Sequence, residues 1–498
     1  MNVNPITRLD YPDPDVIRVE DTYYMVSTTM HFMPGCEILQ SFDLVHWEHV
    51  TYVYETLDHT DAQQLKSGHN IYGQGMWAAS LRYHEGRFYI CFVANDTRKT
   101  YLYTSEKIDG PWKKQLIEGF YHDGSLLFDE DGRNYIVYGN DEIWITELNE
   151  DLTAPKKDGL HRLLVSDHKN PELGYEGSHI QKINGYYYIF LVHSLRDRWM
   201  RTEACFYSDS LEGEFTGGDV LCDDRGYCGQ GVAQGGIVDT PDGKWYAMLF
   251  QDSGAVGRIP ILLPVTWKDH FPVFGQNGHV PEEIEVHSTR PGYIYQPLVG
   301  SDDFCNGLLP RWQFNHDPDP RYYHLDALQG TYTITTREVC TELTQAVNTL
   351  TQRMSYPSCA AEVTVDASAL KEGDVAGLCA FQGCYAAVGI TKHHGKYEVL
   401  MLDKKEDGIL DMTEGTVVES HQMDFRLEAD FCNMKDEARC YYRVNKGDWL
   451  PIGTVHKLYF KLDHFTGCRF GLFCYAAEET GGSACFREFK YYDVDEIS

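Results

Sequence analysis

The sequence predicts an all-β chain, a five-bladed β-propeller over residues 1–295 followed by a β-sandwich over 296–498. Three observations carry this. A turn-plus-aromatic signature recurs five times in the first 250 residues. No long apolar pattern of period 3.6 interrupts the copies, so helices should be few. Beyond residue 300 the chain reads as short alternating strands at regular spacing. At 498 residues it also exceeds one ordinary core, which agrees with two domains joined near residue 295.

The signature copies are Asp21-Thr-Tyr-Tyr24, Glu85-Gly-Arg-Phe-Tyr89, Asp131-Gly-Arg-Asn-Tyr135, Asn184-Gly-Tyr-Tyr-Tyr188 and Asp242-Gly-Lys-Trp-Tyr246. Four of them place Gly after an acidic or amide residue, the chemistry of a two-residue hairpin that needs positive φ. Each runs into an apolar strand, such as Ile90-Cys-Phe-Val93 or Ile189-Phe-Leu-Val192. Copies some 46 to 65 residues apart (Tyr24, Tyr89, Tyr135, Tyr188, Tyr246) fit propeller blades of several strands each.

Counting back twelve residues from each Tyr gives Trp77, Asp123, Glu176 and Gln234; the shorter first copy gives Asp13 at eleven. If the strand before each hairpin is innermost, all five point at one axis. Three carboxylates and a Trp there are a costly choice unless their environments push the pKa values apart. That is what glycoside hydrolysis needs: one carboxyl protonates the leaving oxygen and another activates water or attacks. A flat Trp suits stacking on a sugar face. An oxygen-ligand cation site is the competing use of such acids.

Composition limits the partners. With 43 basic and 75 acidic residues the formal charge is −32, which repels a phosphate backbone and excludes nucleic acid. The longest apolar stretch, Ile259–Val265, holds two prolines and is too short to span a bilayer. The N-terminus shows neither a basic region nor an apolar one, so a cytoplasmic enzyme acting on imported oligosaccharide is expected. Fifteen cysteines without a C-x-x-C pair read as reduced core thiols.

At the axial residues the sequence resembles glycoside hydrolase family 43. The motifs are Asn4-Pro-Ile with Tyr11-Pro-Asp-Pro-Asp15, His122-Asp123-Gly-Ser-Leu-Leu-Phe-Asp-Glu-Asp-Gly132, and Tyr175-Glu-Gly-Ser-His179. The resemblance implies Asp13 as general base, Asp123 as the carboxylate that orients the acid and tunes its pKa, and Glu176 as general acid. Asp15 is a lesser candidate for the base. Arg258 resembles a sugar-binding arginine. Phe32-Met-Pro-Gly35 and Met76-Trp77-Ala78 resemble subsite walls, and His31, His179 and His193 lie in or near pocket-facing motifs, with His31 and His179 as candidate substrate contacts. Gln234 stands where many members carry a metal-holding His. No cofactor is required on this reading; Ca²⁺ at the axis near Gln234, or in the sandwich at Asp302 or Asp303, is the candidate ion.

The second domain resembles the jelly-roll, concanavalin-like domain of β-xylosidase-type members, through Asp302-Asp-Phe304, Asn348-Thr-Leu-Thr-Gln-Arg353 and Gly373-Asp-Val-Ala-Gly-Leu378. It could prop the propeller, bind carbohydrate or send a loop over the pocket. The expected activity is exo-acting, inverting release of α-L-arabinofuranosyl or β-D-xylosyl units from arabinoxylan or xylan fragments. Inversion implies a base-to-acid separation of roughly 6.5–9.5 Å. A catalytically dead carbohydrate-binding propeller, or another five-bladed enzyme such as a fructosidase or a glycoside phosphorylase, are the alternatives. No membrane contact is expected, and oligomerisation stays open.

Overall fold

The computed structural model describes residues 2–413 and 415–493. Among these, five four-stranded antiparallel sheets follow one another in the chain. Blade I starts with Asp15–Val19, blade II with Met76–His84, blade III with Ser125–Phe128, blade IV with Glu176–Ile183 and blade V with Ala233–Asp239. The first strands of neighbouring blades touch one another around the ring, so the strand before each hairpin is the inner one. Helical structure among the described residues is limited to four single 3₁₀ turns.

The hairpins come in two lengths. Glu20-Asp21, Glu85-Gly86 and Asn184-Gly185 are two-residue turns, and Glu85, Gly86, Asn184 and Gly185 all have the positive φ that this turn demands. In blades III and V the turn spans five residues, Asp129–Arg133 and Thr240–Lys244. Tyr24, Tyr89 and Tyr188 therefore pair seven residues back (Ile17, Arg82, Gln181), and Tyr135 and Tyr246 eight back (Leu127, Val238). The true repeat row is thus Asp13, Ala78, Asp123, Gly177 and Gln234. A uniform count of twelve places Trp77 and Glu176 one residue early, because it ignores the shorter turns. Four of the five row residues share a left-handed backbone: φ is 53° at Asp13, 47° at Asp123, 67° at Gly177 and 63° at Gln234. Bulges at Met76/Ala79, Glu176/His179 and Ala233/Gly236 re-aim the inner strands at this same level.

The ring is tied at its ends by Asn2–Val3, which pairs with Glu283–Ile284. Asn4 adds side-chain bonds to both backbone groups of Leu262 in blade V.

The second domain is a sandwich of a nine-stranded and a seven-stranded sheet over one large apolar core. The nine-stranded sheet contains a strand of the first domain: Phe32–Met33, from the loop after blade I's second strand, pairs with Gln313–Asn315. Buried polar bonds reinforce the junction. Arg353 meets Glu37 at 2.9 Å, Gln313 Nε2 donates to Pro34 O at 2.7 Å, and Tyr72 donates to Thr344 O at 2.6 Å. All fifteen cysteines are free, and ten of them are buried.

Candidate active site

The left-handed row turns its side chains into one end of the propeller axis. Asp13 is 6% exposed. Its Oδ2 accepts from Thr28 Oγ1 at 2.6 Å and its Oδ1 from Arg258 Nη1 at 2.9 Å. Each oxygen keeps a lone pair, so a water could still donate to it. Arg258 opens the third strand of blade V and is itself buried; its Nε and Nη2 have no partner. The guanidinium lies 5.3 Å from the Phe250 ring and 4.3 Å from Phe465.

Asp123 acts on its neighbour through the backbone. Its Oδ2 accepts the Gly177 N–H at 3.0 Å and so fixes the peptide that follows Glu176. Only glycine fits there: besides the positive φ, a Cβ would lie 2.7 Å from Gln234 Cγ. Glu176 Oε2 accepts from Asn140 Nδ2 at 2.7 Å and lies 3.4 Å from His122 Nε2. Among the described residues no hydrogen bond reaches Oε1, which leaves that oxygen for a ligand.

His122 links the two acids, at 3.6 Å from Asp123 Oδ2. Burial disfavours its charge, but Asp123, Glu176 and Asp13 outweigh burial and hold the imidazole up at about 9. Burial also pushes Asp123 up to about 6; His122 opposes this, while Glu176 and Asp13 add to it.

The walls are aromatic. Trp77 lies 5.8 Å from the His122 ring and 5.7 Å from Phe465, and its Nε1 is buried without a partner. Phe465 comes from the sandwich, so the second domain completes the pocket. Arg201 lies behind, bonded to Asp252 at 3.0 Å, with its guanidinium 5.3 Å from the exposed Trp199 ring.

The structure thus brings together Asp13, Asp123, Glu176, Trp77 and Arg258. It moves several other expected residues out of the pocket. Phe32 is fully buried, because its strand joins the sandwich sheet and Arg469 covers its ring at 3.5 Å. His31 is fully buried among Phe32, Tyr72, His316 and His464, with no surface for a sugar. His179 Nδ1 lies 3.1 Å from Asp15 Oδ1, against Gly236. Asp15 is fully committed as well: Leu81 N, Arg82 and His179 all meet its carboxylate, which removes it as a base. His193 is held between Asp219 at 2.8 Å and Asp167 at 3.3 Å. Sequence reasoning missed the contributions of His122, Asn140 and Phe465. His122 stood inside a motif already singled out; Phe465 carried no signal, because only folding brings it 5.7 Å from Trp77.

Gln234 offers a cation only its side-chain amide oxygen and its main-chain carbonyl. Ca²⁺ takes six to eight oxygen ligands. The Gln234 N–H is held by Glu203 Oε2 at 2.7 Å, and its side chain packs against Gly177. Among the described residues, His122, Asp123 and Glu176 converge and offer one imidazole nitrogen and two carboxylate oxygens. In the sandwich, Asp302 accepts from Phe304 N and Trp312 Nε1.

Comparison with known proteins follows the same two-domain division. Residues 3–272 match the model of glycosyl hydrolases family 43, and 301–492 match the β-xylosidase C-terminal concanavalin A-like domain. A β-xylosidase from Formosa agariphila is 27% identical over 99% of this chain and 89% of its own. A solved bifunctional GH43-CE protein from Bacteroides eggerthii is 42% identical with a TM-score of 0.93; the match covers 99% of this chain and 64% of that longer one. A GH43 enzyme engineered for both endo-xylanase and exo-arabinofuranosidase activity is 27% identical, with a TM-score of 0.86 and 99% of each chain covered. With the family model spanning more than half its length, the chain belongs to glycosyl hydrolases family 43.

Proposed function

We propose that the chain is an exo-acting, inverting glycosidase that releases terminal α-L-arabinofuranosyl or β-D-xylosyl units from arabinoxylan or xylan fragments. The observation that carries this is the division of labour among three carboxyls on one axis. Asp13, paired with Arg258, faces a pocket in which Glu176 keeps one oxygen unbonded. On this reading Asp13 takes a proton from water as the water attacks the anomeric carbon. Glu176 gives its proton to the leaving oxygen through Oε1. Asp123 orients Glu176 by holding the Gly177 N–H, and Asn140 and His122 hold its Oε2 so that Oε1 faces the ligand. Trp77 and Phe465 exclude water and offer faces to the sugar. The names of relatives, β-xylosidase and exo-arabinofuranosidase, support a pentose in the pocket.

A panel of 4-nitrophenyl pentosides and hexosides, followed by NMR of the first product formed, tests the reading. Turnover of an arabinofuranoside or xyloside with inverted product is expected; a product of retained configuration would sink the base-and-acid assignment. Alanine at Asp13 or Glu176 should lower kcat by about 10²–10⁴-fold. On this reading no cofactor is required, and EDTA should leave kcat unchanged.

A further inference from the structure

Asp10 lies three residues before Asp13 and belongs to none of the sugar-facing motifs. It is 5% exposed. Each of its carboxylate oxygens accepts one backbone N–H, and the two donors belong to different domains. Arg258 N in blade V donates to Oδ1 at 2.8 Å, and Gly467 N in the sandwich donates to Oδ2 at 2.8 Å. The sandwich residue Arg353 also donates, through Nε, to the Asp10 main-chain oxygen at 2.9 Å.

The backbone on both sides is shaped to admit this carboxylate. A Cβ on Gly257 would lie 2.3 Å from Asp10 Oδ1, and one on Gly467 would lie 2.7 Å from Asp10 Cβ and 2.2 Å from Val256 O. Gly257 also has φ of +107°. Buried N–H groups bonded to a carboxylate are among the stronger hydrogen bonds, and each left unpaired is costly.

What this carboxylate holds bears on the pocket. One donor is the backbone of Arg258, whose side chain pairs with Asp13. The other lies two residues beyond Phe465, whose ring covers the Arg258 guanidinium at 4.3 Å and faces Trp77. We propose that Asp10 is a positioning residue that fastens the sandwich loop bearing Phe465 over the Arg258–Asp13 pair. The aromatic wall then depends on docking of the second domain, and a single carboxylate sets both sides of that dock. The inference rests on the reading of this pocket as the glycosidase site.

Full-length Asp10→Ala and the isosteric Asp10→Asn test it, by hydrogen–deuterium exchange and by kinetics on the best aryl pentoside. In Asp10→Ala, peptides covering 459–468 should exchange at least tenfold faster, while those from Ser358–Asp366 keep wild-type protection. Its kcat/KM should fall tenfold or more. Asp10→Asn, which retains one acceptor and guards against a misfolded alanine variant, should fall in between. In a Phe465→Ala background, adding Asp10→Ala should cost less than threefold, because the wall it positions is already gone. Wild-type exchange in the loop, or an equal cost of Asp10→Ala with and without Phe465, would overturn the proposal. The exchange measurement needs no turnover. A wild-type chain that cleaves no pentoside would therefore overturn the functional reading, while loop exchange still decides whether Asp10 fastens the loop.

Discussion

Asp123 reaches Glu176 through a peptide group rather than a side chain, and that route makes Gly177 a functional residue. Any Cβ there must enter a left-handed backbone and displace Gln234. Gly177→Ala should cost about 1–2 kcal/mol from the backbone alone. It should also lower kcat by at least about tenfold, as the Gly177 N–H swings off Asp123 and Glu176 loses its aim. Parallel thermal melts and kinetics check this; a variant with normal kcat would show that the bond does not orient the acid. At this scale Asp13, Asp123 and Glu176 were legible in the sequence, because acids in repeat-related motifs are rare by accident. His31, Phe32 and His179 were misread for one reason. Proximity in sequence to a pocket motif does not fix which way a side chain turns: Phe32 follows its strand into the sandwich sheet, and His179 turns to Asp15.

The hairpins show how local chemistry becomes ring geometry. Asn184-Gly185 and Glu85-Gly86 announce their turn type, since both residues need positive φ. Asp131-Gly132 and Asp242-Gly243 look alike in sequence yet lie in five-residue turns, closed by Asp129 N to Arg133 O and Thr240 N to Lys244 O. Dipeptide chemistry thus revealed five blades but not their register, and the axial count slipped by one in two of them. The strand Phe32–Met33 was equally hidden: two residues carry no periodicity. Its burial gives a direct test. Phe32→Ala should destabilise by about 3–5 kcal/mol, as expected for a buried aromatic. KM should stay within about twofold, since the ring is fully buried beneath Arg469. A large rise in KM at unchanged Tm would return Phe32 to the pocket.

For the whole molecule, the junction of propeller and sandwich is both structural and titratable. His31, His316 and His464 sit buried there with Tyr72, whose ring stacks on His464 at 3.9 Å. Burial, reinforced by the neighbouring imidazoles, holds His31 and His316 well below the usual histidine range. Burial likewise lowers His464 to about 4. A lowered histidine binds fewer protons folded than unfolded. Its neutral form is therefore fully tolerated above about pH 6.5, and stability is lost as pH falls from there towards 4, at up to about 1.4 kcal/mol per pH unit for each such group. Buried acids with raised pKa, such as Asp317 and Asp436, both about 6, act in the opposite sense. The difference between wild type and His464→Asn isolates the histidine. The variant should lose less Tm than wild type between pH 7 and 5, and parallel curves would remove His464 from the account. The two-domain division was legible from strand spacing and turns. Their interlocking was not, because no local pattern marks residues that meet across the chain.

That interlocking has a consequence for how the protein is made. The Phe32–Met33 strand leaves the ribosome long before its partner; Gln313, which also bonds Pro34, follows 279 residues later. At about 5–20 residues per second, the early strand waits on the order of tens of seconds for its sheet. Through that interval the Phe32–Met33 segment lacks its strand partner and Phe32 its cover. Completion of this sheet, and burial of Phe32 with it, is therefore timed by synthesis of the sandwich.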